Sequence, residues 1–230
     1  MSAEAKARVG KEVAGWVESG MVLGLGTGST AAKAIEALGR RLESEMLDVV
    51  GVPTSFFAER LARQCGIPLA TLDEVEHIDL AFDGADEVDP NLTLIKGRGA
   101  AHTREKVVAA EAVRLVVLVD DSKMVEKLGT RMPVPVEVVP MAASPVIRRL
   151  ERLGARCELR MGEAKDGPVV SDQGMWIVDA HFPGIDDAAG LSADISGMPG
   201  VVEHGIFVGL ATDVLVGQSD GEVRHLRRRG

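Results

Sequence analysis

The sequence predicts an α/β protein built on a parallel sheet, with a second, smaller α+β domain. Three observations carry this. Short apolar runs alternate with segments of helical spacing between residues 21 and 120, the order that produces a parallel sheet with helices on both sides. The run "RLVVLVD" (114–120) is apolar almost throughout, as a strand covered on both faces must be. After about residue 130 prolines cluster and the element order changes, which marks a second unit. The expected division is 1–130 plus 206–230 for the sheet domain and 131–205 for the smaller one.

Each element follows from local pattern. "MSAEAKARVGKEVAGWVESG" has the spacing of an amphipathic helix. "MVLGLG" (21–26) is a short apolar strand, and the alanine-rich "STAAKAIEALGRRLES" (29–44) is a helix. "DVVGVP" is the next strand. "SFFAERLARQCG" is a helix opened by Ser55 and closed by Gly66. "HIDLAFD" (77–83) is a strand and "TREKVVAAEAV" (103–113) a helix. In the second unit, "MPVPVEVVP" (132–140) reads as a strand whose three prolines suit a crossing or edge position. The helix "SPVIRRLERLG", the strands "ARCELRM" and "MWIVDAHF" and the helical "DDAAGLSADISGMPG" follow. "VVEHGIFVGLATDVLVG" reads as strands returning to the first sheet.

Composition excludes several classes. Of 230 residues, 46% are hydrophobic and 27% charged, too apolar a balance for disorder. The net charge of −9 argues against general nucleic-acid binding, so an anion would be held by a local pocket. The basic run "RHLRRRG" at the C-terminus reads as a solvated tail. Two cysteines in no paired motif fit a reducing compartment and rule out a disulfide framework or a cysteine-based zinc site. The N-terminal segment lacks a signal-peptide apolar core, and no apolar run approaches the ~20 residues of a membrane span. A cytoplasmic protein without membrane partners is expected.

Two glycine loops stand out. "GLGTGSTAAKAI" (24–35) sets glycines and the hydroxyls of Thr27, Ser29 and Thr30 between a strand and a helix. Free N–H groups and the positive dipole end at such a junction suit a phosphate, and Gly26 and Gly28 let backbone approach it. The dinucleotide fingerprint fails because Ser29 occupies its third glycine position, and the P-loop fails for want of a lysine. The alternative is a tight turn with Ser29 as helix N-cap.

The second loop follows a group of carboxylates. Asp83 closes an apolar strand, so it lies at the sheet edge where open α/β folds bind ligands. Gly84 and Ala85 leave space, and Asp86 follows. Two carboxylates this close need a cation, a shared proton or donors to offset their repulsion. Lys96 is one such cation; magnesium on Asp83, Asp86 and Glu87 is the less favoured alternative. "KGRGAAHTREK" then places Lys96 to polarise a substrate oxygen, with N–H groups exposed at Gly97 and Gly99. Glu105 is either a general base or a solvated helix-start glutamate.

"GLGTGST", "DGADEV", "KGRGAAHTREK", "DDSKMVEKLG" and "PVPVEVVP", in this order and spacing, together resemble type A ribose-5-phosphate isomerase. The likeness runs through "MPGVVEHGIF" near the end and so covers nearly the whole chain. It implies interconversion of D-ribose 5-phosphate and D-ribulose 5-phosphate, without cofactor or metal, on a Rossmann-like domain with a smaller ferredoxin-like α+β domain. It implies Glu105 as base, with Asp83, Asp86 and Lys96 completing the catalytic set. Thr27, Gly28, Ser29, Thr30 and Lys123 would hold the substrate, as would Gly84, Ala85 and the turn Gly97, Arg98, Gly99. Lys6 matches a phosphate-side lysine by spacing. The family's usual assembly implies a homodimer or homotetramer. Arg98 and His102 depart from the small or apolar residues common in relatives. A sugar-phosphate sensor, an aminosugar-phosphate deaminase and a coenzyme A transferase are the rival classes on similar scaffolds.

Overall fold

The alternation of apolar runs and amphipathic segments is realised in a computed structural model that describes residues 3–228. The chain forms two compact units. The first takes the chain up to Ala85, Arg104–Lys123 and the chain from Gly209. Its sheet contains β1 (Val22–Leu25), β2 (Val50–Pro53), β3 (Ile78–Gly84), β6 (Ala112–Asp120), β12 (Asp213–Gly217) and β13 (Val223–Arg227). The spatial order is β13-β12-β6-β3-β1-β2. All neighbours pair in parallel except β12 and β13. Six consecutive residues of β6, from Leu115 to Asp120, are buried, as its unbroken apolar run requires. Leu23, Leu25, Phe82, Val116 and Leu118 pack with Val9 and Val13 of α1 (Ala3–Ala14). Ile35 and Leu38 of α2 (Ser29–Ser44) and Ala58 and Ala62 of α3 (Phe56–Gln64) complete that core.

This order contains a topological reversal at β1. From β1 the chain passes through α2 to β2 on one side, and later returns to β3 on the other. Loops leaving the carboxyl ends of β1 and β3 therefore diverge, and open α/β sheets bind ligands at such a reversal point. Both the 26–30 loop and Asp83 lie there.

The second unit is Asp86–Thr103 with Met124–Val208. It contains β7 (Val134–Val138), α5 (Ala143–Arg152), β8 (Arg156–Leu159), β9 (Trp176–His181), α6 (Ala188–Ser196) and β10 (Val201–His204). The sheet order β10-β7-β9-β8 is antiparallel throughout, a ferredoxin-like arrangement. Val134, Val136, Val138, Val146, Leu150, Val178 and Ile195 form its core. A small antiparallel sheet of β4 (Glu87–Val88), β5 (Leu94–Ile95) and β11 (Ile206–Phe207) belongs to the same unit. Helix α4 (His102–Ala110) contains the Thr103–Arg104 boundary.

Several expectations need correction. β7 is interior, not an edge. Its proline is tolerated because Pro135 O accepts the Gly205 N–H (2.7 Å), just past the last paired residue of β10. The Gly205 carbonyl, which an N–H at position 135 would have served, accepts from Lys96 N instead (2.8 Å), so the missing donor of Pro135 leaves no acceptor unmet. The segment 201–217 does not return as a block: β10 and β11 stay in the second unit and only β12 rejoins the first sheet. The basic C-terminal run is not a solvated tail through Arg227, because Val223–Arg227 pairs with β12; Arg229 and Gly230 lie outside the described residues. Residues 86–103 and 124–130 cluster with the second unit, whereas the expected boundary stood at 131. Glu87 explains part of this: its buried carboxylate accepts the N–H groups of Gly129 (2.6 Å), Arg131 (2.7 Å) and Met132 (2.8 Å).

Candidate active site

In the first unit the strand ends supply the groups. Gly28, with φ 98°, is the N-cap of α2, so the helix opens at Ser29 and not after it. The reading of Ser29 as N-cap is thereby replaced; its Oγ instead accepts from Lys6 Nζ at 2.7 Å. Thr27 Oγ1 donates to Ser55 Oγ (2.6 Å) and lies 2.8 Å from Thr54 Oγ1. Thr54 in turn donates to Leu25 O (3.0 Å), which ties the hydroxyl cluster to the end of β1. Thr30 lies in the first turn of α2.

Asp83, 4% exposed, sits across from this loop. Its Oδ1 accepts the N–H groups of Thr27 (3.0 Å) and Gly84 (2.7 Å). The approach is close enough that a Cβ on Gly26 would lie 2.3 Å from Phe82 O and 2.5 Å from Asp83 Oδ1. Only glycine fits there. Ala85 follows Gly84, and both are half-buried.

Glu105 is 6% exposed, so the solvated helix-start alternative does not hold. Val108, one turn along α4, lies over β1: a Cβ on Gly24 would be 2.7 Å from its Cγ1. Residues three apart share a helix face, so Glu105 belongs to the face turned toward β1. Lys123 closes the short turn after β6. Burial works against ionisation of Asp120, but the Ser122 hydrogen bonds and then the Lys123 charge outweigh it and hold the carboxyl below its ordinary range.

The second unit carries the remaining groups. Asp86 donates its N–H to Ile95 O (2.8 Å), and its Oδ2 accepts the Arg98 N–H (3.0 Å). Lys96 is 4% exposed, with its ammonium 5.5 Å above the Phe207 ring. Gly97 has φ 108°, and a Cβ there would meet the buried His102 ring at 2.7 Å. His102 is thus packing under the turn, while Arg98 and Gly99 are exposed. Glu87, considered for a metal, is committed to three backbone donors. A cavity of about 400 Å³ is bordered by Asp86, Arg98, Gly99, Arg160 and Asp179.

Sequence reasoning missed Thr54 and treated Ser55 as a helix cap alone. Ser55 does cap α3, accepting from Ala58 N at 3.1 Å, yet the same oxygen also holds Thr27. No motif signals this, because the pairing depends on β2 lying beside β1.

Comparison with known proteins decides between the classes. A model of the family ribose 5-phosphate isomerase A (phosphoriboisomerase A) matches residues 50–221. A ribose-5-phosphate isomerase A from Nostoc sp. is 54% identical over 219 residues, covering 94% of this chain and 93% of that protein. The chain belongs to the ribose 5-phosphate isomerase A family. Two solved structures of ribose 5-phosphate isomerases extend this to the fold. One, from Methanocaldococcus jannaschii, superposes with a TM-score of 0.93 at 51% identity, covering 97% of this chain and 98% of that one. Another, solved in complex with phospho-erythronic acid, reaches a TM-score of 0.96 at 50% identity over 98% of each chain.

Proposed function

We propose that this chain is an aldose–ketose isomerase that interconverts D-ribose 5-phosphate and D-ribulose 5-phosphate by proton transfer through a cis-enediolate. Membership of the isomerase family, at 54% identity across nearly the full length, is the observation that carries the reading. It does not favour the sensor, deaminase or transferase alternatives. The relative solved with phospho-erythronic acid adds support. That ligand joins a phosphate to a planar carboxylate, and the two oxygens of a carboxylate imitate those of an enediolate.

In this reading Glu105 takes the C2 proton and returns it to C1. Its burial, against β1, keeps water from competing for the carboxylate. Lys96 and N–H groups of the Gly97–Gly99 turn meet the charge that develops on oxygen, being placed before the reaction begins. Asp83 and Asp86 exchange protons with the sugar hydroxyls as the ring opens. Thr27, Gly28, Ser29 and Thr30, with Lys6 and Lys123, hold the phosphate. That grip supplies remote binding energy which holds C1 and C2 against the base. The step belongs to the pentose phosphate pathway. A cytoplasmic homodimer or homotetramer is the proposed form; both cysteines are free thiols, which suits a reducing compartment, and no described helix is long and apolar enough to cross a membrane.

Conversion of ribose 5-phosphate, followed with and without EDTA, tests the activity directly. Turnover in deuterated water should place deuterium at C1 of the aldose-derived product. Glu105→Gln should lower kcat about 10²–10⁴-fold with little change in KM. Full activity in that variant would remove Glu105 from the base role.

A further inference from the structure

We infer that Arg160, held by Asp179, is the positioning residue that orients the turn carrying Lys96. The inference rests on the proposed role of Lys96 and Asp86. Arg160 follows β8 and continues its ladder, donating its N–H to Ile177 O at 2.9 Å. One edge of its guanidinium is fixed by Asp179 on β9, with Nε to Oδ2 at 2.7 Å and Nη2 to Oδ1 at 2.5 Å. The two side chains are only 17% and 11% exposed. The remaining nitrogen, Nη1, donates to Gly97 O and to Arg98 O, each at 3.0 Å. Four acceptors are thus bound by one planar fork, a task no single ammonium can perform.

The consequence follows from peptide geometry. In a trans peptide the C=O and N–H point in opposite directions. The Gly97–Arg98 peptide has its oxygen on Arg160 and its N–H on Asp86 Oδ2 (3.0 Å). Arg160 and Asp86 therefore hold opposite ends of one plane. The next peptide has its Arg98 oxygen on the same guanidinium, so the Gly99 N–H is directed to the side on which Asp86 lies. Arg160 thereby decides which way two consecutive donors face and supplies Asp86 with one of them. The turn needs such a hold: Gly97 has φ 108° and Ala100, which cannot relax as glycine does, has φ 56°. Conformations of this kind persist only where the surroundings impose them. Loss of the guanidinium withdraws its donor from both carbonyls and leaves Gly97 O to the Ala100 N–H of the turn itself (3.0 Å), a weaker hold on the orientation of the two peptides.

Arg160→Met should lower kcat for ribose 5-phosphate about 30- to 100-fold, the scale of a 1 Å misplacement. KM should stay within about threefold, because the phosphate-holding loop is untouched. Hydrogen exchange at the Arg98 amide, which donates to Asp86 Oδ2, should quicken in the same variant. Arg160→Lys keeps the charge but not the fork and should lose about tenfold in kcat; it decides the matter if the methionine variant does not fold. Arg156→Met, at an exposed arginine earlier on the same strand, should behave as the parent enzyme. A folded Arg160→Met or Arg160→Lys protein with kcat within twofold of the parent overturns the inference, whatever its melting temperature. If the parent itself does not isomerise ribose 5-phosphate, the functional reading fails first. If the parent is active, Glu105→Gln is dead and the Arg160 variants are normal, only the positioning role is lost.

Discussion

Burial pushes the Cys157 thiol up to about 11, and the Glu151 carboxylate adds to the effect. Burial raises Cys65 as well, with Glu36 contributing next. Only thiolates alkylate quickly, and at pH 8 roughly one Cys157 in a thousand is ionised. Iodoacetamide at that pH should label the folded protein slowly at both positions and leave isomerisation intact. Rapid labelling with loss of activity would show that these sulfurs are more open than their surroundings indicate. Single residues were unevenly legible in the sequence. Asp83, Lys96 and Glu105 stood in motifs dense enough to be picked out, and their burial is what the proposed chemistry needs. Thr54 and the second duty of Ser55 were invisible, because a hydroxyl beside a neighbouring strand leaves no trace in spacing. Arg160 and Asp179 were equally hidden; they lie 19 positions apart in an ordinary strand–turn–strand stretch.

At the scale of elements, periodicity was a good guide wherever local pattern and burial agree. Helix α2 occupies the predicted 29–44, and Ser55 opens α3 as its side chain suggested. Of the two positions that three prolines suit at β7, crossing or edge, the edge does not hold, and the partner strand ends just short of the proline. Position 205 carries the related demand. A Cβ on Gly205 would lie 2.1 Å from Lys96 O and 2.7 Å from Pro135 Cδ, while Lys96 N donates to Gly205 O at 2.8 Å. Gly205→Ala should therefore cost about 1–3 kcal/mol in stability. It should also reduce turnover by displacing the backbone that carries Lys96. Urea unfolding together with steady-state kinetics checks both; unchanged values in each would mean that the backbone there gives way without penalty.

At the scale of the molecule, acid stability draws on the buried carboxylate at the start of β12, in addition to Asp120. Asp213, 3% exposed, accepts from Arg114 Nε (2.7 Å), Arg114 Nη2 (2.9 Å) and Thr212 Oγ1 (2.8 Å), and lies 2.6 Å from His225 Nε2. Burial opposes its ionisation, but the hydrogen bonds from Arg114, Thr212 and His225 prevail and hold the carboxyl well below the ordinary range. Because the folded value is depressed, this contribution is complete above the unfolded value of about 3.9 and is lost as pH falls below it. Chemical-denaturation midpoints should hold steady from neutral pH to about 5 and decline below about 4. Asp213→Asn should cost about 2–3 kcal/mol at pH 7, near the lower bound for a broken buried pair since Arg114 is a third exposed, and should flatten that decline. The two-unit organisation was legible only in outline. The change of texture stands near residue 130, whereas the second unit resumes at Met124, and the assignment of 86–103 depends on strand pairs and on the Glu87 carboxylate, which bridge residues more than 40 positions apart.

The antiparallel strand at the end of the first sheet has a consequence for growth of that sheet. Its rim displays Arg224 and Arg227, whose side chains are 47% and 72% exposed. A row of unpaired backbone groups is an invitation to a further strand, and cations along it withdraw that invitation. Two copies sliding together there would have to crowd guanidinium groups already engaged with Asp121 (3.7 Å) and Asp213 (3.5 Å), so this margin resists fibril-like stacking.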